Sequence, residues 1–213
     1  MKKSVYSLVL MDDVIRSVDE EAYKRGTSRS NLINQILAQY FSCRTPEMRM
    51  QEIFESMSGL VNDVFKIQQQ RSASLITLRT ALDYKYRPTI NYKVELERNP
   101  GESLGVLRMS IRTQSNTLIA MFNSFFTYRI KLESDSLQQL GADKYSCRLS
   151  NGSFTRSLLN TGLSENETAA AISMYLNNLN DSIQTFFISP ERFKMNIPQL
   201  EAEYKNMLKK YII

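Results

Sequence analysis

Residues 4–41 decide the fold of the amino-terminal part of the chain and read SVYSLVLMDDVIRSVDEEAYKRGTSRSNLINQILAQYF. The opening residues alternate, with Tyr6, Leu8 and Leu10 on one face and the intervening residues on the other. A period of two predicts a β-strand. No second strand is predicted before residue 46, so the backbone N–H and C=O groups of this one need a partner from elsewhere. We expect a second copy of the chain to pair with it in an antiparallel ribbon.

Two helices are predicted after the strand. Asp12 or Asp13 caps the first helix, and Gly26 ends it in the left-handed conformation that glycine adopts at little cost. Ser28 then caps the second helix. The apolar faces are predicted to consist of Val14, Ile15, Val18 and Ala22 in the first helix and of Leu32, Ile33, Ile36, Leu37 and Tyr40 in the second.

This order of elements resembles the ribbon-helix-helix family of DNA-binding proteins, of the Arc, MetJ and CopG type. The matching segments are YSLVL, DDVIRSVDEEAYKRG and GTSRSNLINQIL, and the resemblance covers residues 2–42. It implies an obligate homodimer whose two-stranded ribbon enters the major groove of double-stranded DNA. It also implies that a DNA phosphate binds at the amino end of the second helix.

The resemblance assigns roles to individual residues. Base contacts fall on Val5, Ser7 and Val9. Phosphate contacts are expected from Lys2, Lys3, Thr27, Ser28, Arg29 and Ser30. The dimer ribbon and its core are expected to comprise Tyr6, Leu8, Leu10, Val14, Val18, Ala22, Leu32, Ile33, Ile36 and Leu37.

The base-contact positions depart from the family pattern, which favours long or hydrogen-bonding side chains there. Valine can contact a thymine methyl group and serine can bond to several base edges, but neither forms the bidentate pairs worth about 1–3 kcal/mol of discrimination. We therefore expect A·T-rich or shape-dependent sites, or many copies bound in an array. The alternative is that the module only dimerises.

The amino-acid composition indicates which structural and functional classes the whole protein can belong to. The chain has 213 residues, 42% hydrophobic and 23% charged, which is typical of a globular protein of one or two domains. The net charge of +5 agrees weakly with a polyanionic partner. The sequence lacks histidine, and its two cysteines, Cys43 and Cys147, are far apart, so we expect no metal site and no cofactor. No signal peptide and no membrane span are predicted, and we expect a cytoplasmic protein.

The predicted fold class is α+β and mostly helical, with a ribbon-helix-helix domain at residues 1–43 and an α+β oligomerisation or partner-binding domain at residues 47–213. A long helix over about residues 47–83 is predicted to open the second domain, because Ile53, Met57, Leu60 and Val64 recur at heptad spacing. It serves either as a coiled-coil dimer stalk or as a helix packed across its own domain.

A β-hairpin is predicted from residues 89–98, the turn at residues 99–102, and a return strand containing Leu107, Met109 and Ile111. Its outer face carries Lys93, Arg108 and Arg112 beside Glu95 and Glu97. This face is either a solvated surface with cross-strand ion pairs or a basic surface that contacts nucleic acid.

The segments after residue 113 have less regular spacing of apolar residues. We expect a helix at residues 115–126, a strand at 127–133, irregular structure at 141–163 with a turn at Asn151 and Gly152, a helix at 165–187 capped by Ser164, and a last helix from Pro198. The aromatic residues near 122–128 are interpreted as core rather than as base-stacking groups.

No catalytic motif is found: the sequence has no glycine-rich phosphate loop, no Gly-x-Ser-x-Gly and no clustered metal ligands, so we expect no enzymatic activity. The predicted function is that of a homodimeric, sequence-specific DNA-binding protein, a transcriptional repressor. One alternative is a DNA-binding adaptor of plasmid partition or conjugative transfer that recruits a protein partner through residues 47–213. A second is an effector or toxin-like module regulated by the amino-terminal domain.

Overall fold

The structure is a computed structural model that describes residues 5–68, 72–142 and 144–213. These residues form an α+β fold with six helices and six strands. The helices are α1 (Asp12–Lys24), α2 (Arg29–Tyr40), α3 (Pro46–Ser58), α4 (Asn116–Gln139), α5 (Glu165–Ile188) and α6 (Pro190–Lys210). The strands are β1 (Lys66–Gln68), β2 (Leu75–Ala81), β3 (Thr89–Leu96), β4 (Ser103–Arg112), β5 (Cys147–Ser150) and β6 (Ser153–Leu159).

The six strands form one antiparallel sheet in the order β1-β2-β3-β4-β6-β5. The first four strands follow one another as a meander. The chain then crosses through α4 and returns as the β5–β6 hairpin, whose second strand pairs with β4. The two short strands β1 and β5 are therefore the edges of the sheet.

One face of the sheet is covered by helices and holds the main core. Alternate residues of β3 and β4 are buried, as the period of a half-buried strand requires, and they pack with apolar side chains of α3, α4, α5 and α6. A polar contact lies inside this core: the Asn180 side-chain oxygen on α5 accepts hydrogen bonds from Thr80 of β2 and Tyr92 of β3, both at 3.1 Å. The other face of the sheet is open to solvent.

Three predictions from the sequence are confirmed. The 89–112 hairpin forms with Leu107 opposite Val94 and Ile111 opposite Ile90, all facing the core. The helix predicted at residues 165–187 is α5, and Ser164 caps it through a reciprocal capping box with Glu167. The turn at Asn151 and Gly152 connects β5 to β6.

The predicted amino-terminal strand is not formed in the single chain. Ser4 lies outside the described residues, residues 5–11 carry no regular secondary structure, and the first element is α1. The physical reason is that none of the described strands lies beside this segment, and an isolated strand has no partner for its hydrogen bonds. The segment does not join the sheet either.

The predicted long helix at residues 47–83 is wrong. Helix α3 ends at Ser58 with Gly59 as its C-cap, and β1 and β2 occupy the stretch that was expected to continue the helix. Leu60 and Val64, which extended the heptad pattern, are exposed. Further along, Ile76, Leu78 and Thr80 alternate onto the core side of β2, so sheet packing determines the structure of this segment.

Three other expectations are corrected. The strand predicted at residues 127–133 is part of α4, since Phe125, Phe126, Arg129 and Glu133 bury one helical stripe. The segment 141–163, expected to be irregular, contains the β5–β6 hairpin. The last helix begins at Pro190, which suits the first helical turn, and Pro198 lies inside it.

The division into residues 1–43 and 47–213 stays a prediction. Between them, Arg44 forms ion pairs with Glu165 at 2.9 Å and with Glu52 at 3.7 Å. Among the described helices, none is long and apolar enough to cross a membrane.

Candidate nucleic-acid interface

Helices α1 and α2 form a hairpin whose turn is fixed by glycine. Gly26 has a φ of +61°, its N–H donates to the carbonyl of Tyr23 at 3.1 Å, and the N–H of Thr27 donates to the carbonyl of Ala22 at 2.9 Å. This pair of bonds is a Schellman motif, which satisfies the last carbonyls of α1 and needs a residue that tolerates the left-handed conformation. The helix termini predicted from Gly26 and Ser28 are therefore confirmed, although Met11 rather than Asp12 or Asp13 occupies the N-cap position of α1.

The amino end of α2 brings together four of the predicted phosphate contacts, Thr27, Ser28, Arg29 and Ser30. The Ser28 hydroxyl accepts a hydrogen bond from the N–H of Asn31 at 3.3 Å. The first N–H groups of a helix have no intrahelical acceptor and carry the positive end of its dipole, so this end can bind an anion.

Arg29 is held against α1 by an ion pair with Asp19. Its Nε donates to Oδ1 of Asp19 at 2.5 Å, and the terminal nitrogen donates to the other carboxylate oxygen. This hydrogen bond, together with the charge of Asp19, raises the pKa of Arg29. A phosphate contact from Arg29 must therefore compete with Asp19.

The predicted base-contact residues are solvent-exposed but are not arranged in a strand. The side chains of Val5 and Val9 are 99% and 101% exposed, and Ser7 is also exposed. Lys2 and Lys3 lie outside the described residues. The structure thus leaves the three side chains accessible without fixing their geometry.

The predicted dimer core is only partly buried in the single chain. Ala22 and Leu32 are buried where α1 meets α2, and Val18 and Ile33 are half-buried. The other six predicted members are exposed: Tyr6, Leu8, Leu10, Val14, Ile36 and Leu37. Tyr40 and Phe41 extend this exposed apolar surface. Such a concentration of exposed apolar groups is typical of an interaction surface.

The outer face of the 89–112 hairpin does not show the ion pairs that the sequence suggested. Within the described residues, Lys93, Arg108, Arg112, Glu95 and Glu97 have no salt-bridge partner within 4.0 Å. In the register of the sheet, Lys93 lies directly opposite Arg108, and Glu95 lies opposite Val106. The solvated face is therefore basic, and like charges rather than opposite charges face each other.

A buried ion cluster was missed by the sequence analysis. Glu133 of α4 accepts from Arg129 Nε at 2.5 Å and from Arg156 of β6 at 3.1 Å, and the hydroxyls of Tyr175 and Tyr145 donate to it at 2.7 and 2.9 Å. Burial opposes the charge of Glu133, but the two guanidinium groups outweigh it and keep the pKa of Glu133 below its ordinary value. The side chains of Arg129, Glu133 and Arg156 are all sealed within the core.

The signal that could have found this cluster is the spacing of Arg129 and Glu133, which are four residues apart. In a helix, that spacing places the two side chains beside each other, but the segment was predicted as a strand. The third member, Arg156, comes from a strand that the sequence did not reveal.

Comparison with protein-family models, with curated proteins and with solved structures found no match. In the described part of the chain, no group of three or more His, Cys, Asp or Glu side chains is placed to hold a metal ion.

Proposed function

We propose that this chain is a homodimeric DNA-binding protein and that residues 5–42 form a ribbon-helix-helix module in the dimer. In this proposal, the segment around Tyr6–Leu10 pairs with its copy across a two-fold axis, and the resulting ribbon inserts into the major groove. The biological role we propose is transcriptional repression.

The observation that carries the proposal is the exposed apolar surface of the α1–α2 hairpin and the segment before it. Leu8, Ile36 and Leu37 are 62%, 50% and 44% exposed, although all three belong to the apolar set that the alternating and helical patterns define. A hairpin of two short helices buries only Ala22 and Leu32 completely. The hydrophobic effect favours covering the remainder, and a second copy supplies a complementary surface by symmetry.

A second copy also supplies the missing hydrogen bonds of residues 5–10. In an antiparallel pair, each strand offers its N–H and C=O groups to the other, and the side chains alternate between two faces. Tyr6, Leu8 and Leu10 would then face the helices, while Val5, Ser7 and Val9 would face outward. The major groove is wide enough to admit a two-stranded ribbon.

Phosphate binding at the start of α2 supports the same orientation on DNA. The Ser28-capped helix end offers backbone N–H groups on the same hairpin that would carry the ribbon. Such contacts position a protein on the duplex, whereas the base edges supply the sequence information. The two valines and one serine favour methyl contacts and DNA shape over bidentate hydrogen bonds.

The first experiment compares two variants of exposed leucines. Leu8→Asp places a charge in the proposed dimer core, and Leu60→Asp places the same charge on an exposed leucine outside it. We expect the wild type and Leu60→Asp to sediment as dimers at micromolar concentration and Leu8→Asp to sediment as a monomer with lost sequence-specific DNA binding. A monomeric wild type, or identical behaviour of the two variants, contradicts the proposal.

The second experiment identifies the DNA and the role. A repressor is expected to bind the promoter of its own gene, whereas an adaptor is expected to bind clustered direct repeats and to retain a motor or nicking enzyme in a pull-down. If a dimer contacts about four to eight phosphates, the logarithm of the affinity falls against the logarithm of the salt concentration with a slope of about −4 to −7.

A further inference from the structure

The solvent-exposed face of the six-stranded sheet, which we call the outer face, carries an excess of cations. Because side chains alternate along each strand, the register assigns every other residue to this face. Six cations belong to it: Lys66 of β1, Arg79 of β2, Lys93 of β3, Arg108 and Arg112 of β4, and Arg148 of β5. Glu95 of β3 is the carboxylate that the described strands place there, and Glu97 follows just beyond the end of β3.

The cations are arranged in rows that run across the strands. One row contains Thr77, Lys93, Arg108, Thr155 and Arg148, which are consecutive partners in the register from β2 to β5. A second row begins with Lys66 and Arg79 and continues through asparagine and serine side chains. Five spacings between six strands give the face a width of about 24 Å.

Two like-charge pairs lie directly opposite each other on this face. Lys66 is the register partner of Arg79, and Lys93 is the register partner of Arg108. Like charges at opposed positions of an antiparallel pair destabilise the sheet. In the described part of the chain, none of the six cations has a salt-bridge partner within 4.0 Å to offset this repulsion. An anionic ligand that binds between the two cations of a pair would offset their repulsion.

A depression on the outer face is suited to an anionic ligand. Lys93 and Arg108, together with Glu95, Leu75 and Val106, line a depression of about 90 Å³. The two cations that lie opposite each other in the register therefore both face this depression, where one anionic group can contact them.

We infer that the outer face of the sheet binds the phosphate backbone of double-stranded DNA, at a surface separate from the proposed amino-terminal module. Charge complementarity selects a polyanion, because the face offers six cations over about 24 Å and a duplex of that length carries about fourteen phosphate charges. The described strands place no aromatic side chain on this face, so it lacks the stacking platforms that single-stranded nucleic acids use. Contacts to phosphates alone make the binding independent of sequence.

The test uses the full-length protein and a 30-base-pair duplex of arbitrary sequence. The variant Lys93→Gln/Arg108→Gln/Arg148→Gln removes three exposed cations from the outer face. The control variant Lys194→Gln/Lys205→Gln/Lys209→Gln removes three exposed cations from α6 and changes the net charge by the same amount. Fluorescence anisotropy gives the affinity of each protein over a range of salt concentrations, and thermal unfolding checks the fold.

We expect the slope of log affinity against log salt to become shallower by about three in the outer-face variant and by less than one in the control. The outer-face variant is also expected to unfold at the same or a higher temperature, because it relieves the repulsion between Lys93 and Arg108. Equal slopes for the two variants overturn the inference. Tighter binding to single-stranded DNA or RNA than to the duplex overturns the choice of double-stranded DNA.

A further arm separates this inference from the proposed function. The Leu8→Asp variant, which disrupts the proposed ribbon, is expected to retain salt-sensitive binding to the arbitrary duplex. Combining it with the three outer-face substitutions is expected to weaken that binding and to make its salt slope shallower by about three. If Leu8→Asp still sediments as a dimer while the outer-face variant loses affinity for the arbitrary duplex, the ribbon-helix-helix proposal fails and the outer-face inference stands.

Discussion

Glu133 lies one helical turn after Arg129 on α4 and accepts a hydrogen bond from its Nε at 2.5 Å, with both side chains closed off from solvent. The same carboxylate binds Arg156, which comes from β6 at the other side of the core. One anion therefore serves two buried cations, and it connects the crossing helix to the carboxyl-terminal half of the sheet.

Removing the charge of Glu133 is expected to destabilise the protein strongly. In Glu133→Gln, two buried guanidinium groups lose their counter-charge, and breaking a buried ion pair in this way costs about 3–5 kcal/mol. Urea denaturation followed by circular dichroism measures the free energy of unfolding. Asp135→Asn, an exposed change on the same helix, is expected to stay within about 0.5 kcal/mol of the wild type. A similarly small loss in Glu133→Gln would show that the cluster contributes little.

Acid is expected to remove the contribution of Glu133 to stability. Burial raises the pKa of Glu133, but Arg156 and Arg129 outweigh burial and hold it below the ordinary value of about 4.3. At pH values between the lowered pKa of Glu133 in the folded protein and its ordinary pKa in the unfolded chain, the unfolded chain binds more protons. The stabilisation is therefore fully present above about pH 4.3 and is lost as the pH falls through the folded-state pKa. The free energy of unfolding, measured from pH 7 to pH 2.5, should fall more steeply below pH 4.3 in the wild type than in Glu133→Gln. Parallel curves would assign the acid sensitivity to other groups.

Gly105 is expected to tolerate no side chain. A Cβ atom at this position would overlap the carbonyl oxygen of Glu95 and approach Cα of Leu96 to 2.9 Å, and both belong to the backbone of the neighbouring strand β3. We expect Gly105→Ala to cost about 1–3 kcal/mol, as overpacking does. Gly101→Ala is the matched control, since a Cβ there would meet nothing within 4 Å. Thermal unfolding of the two variants should differ clearly, and equal melting temperatures would mean that β4 can shift to accept the methyl group.

Asp19 is expected to weaken DNA binding by holding Arg29. Asp19→Asn removes the carboxylate that pairs with Arg29, which frees the guanidinium for a phosphate and increases the salt dependence of binding by about one unit of slope. Asp13→Asn removes another exposed carboxylate of α1 and serves as the control for net charge. Anisotropy titrations against duplex DNA measure both. If the two variants tighten binding equally, Arg29 makes no specific contact.

Ser7 and Arg29 are expected to affect DNA binding in different ways. Ser7→Ala should lower the affinity for the preferred site more than for arbitrary DNA, because Ser7 is a proposed base contact. Arg29→Gln should lower both affinities by a similar factor, because a phosphate contact carries no sequence information. Competition between specific and arbitrary duplexes separates the two effects, and binding that ignores both changes would exclude this module from the interface.

The parts of the fold that the sequence predicted are those specified by local signals. The β3–β4 hairpin has strict alternation and a proline-glycine turn, and α5 has a serine capping box followed by a long apolar stripe. In these segments, the local sequence pattern and the tertiary packing favour the same structure. The spacing of the apolar residues was therefore sufficient to identify the segment as a strand or a helix.

The parts that were missed depend on neighbours far away in the sequence. Ile76, Leu78 and Thr80 alternate as in a strand, but the heptad spacing that precedes them predicted a helix through this stretch. Tyr128, Ile130 and Leu132 alternate even though they belong to α4. Arg156 is buried in the core, where its guanidinium binds Glu133, twenty-three residues earlier in the sequence. For the amino-terminal segment, local alternation predicted a strand, but no strand in the described part of the chain supplies the hydrogen-bonding partner that it requires.

The Asn180 contact has a consequence for how uniquely the core is packed. Its single side-chain oxygen accepts from hydroxyl groups on two adjacent strands, so α5 has one position along β2 and β3 at which both bonds form. If α5 were shifted by one helical turn, most of its apolar contacts could be replaced by equivalent ones. The hydroxyl groups of Thr80 and Tyr92 would then lack a hydrogen-bond acceptor in the buried core. The Asn180 side chain thus specifies the position of α5 against the sheet, and it disfavours shifted arrangements that aliphatic side chains alone would allow.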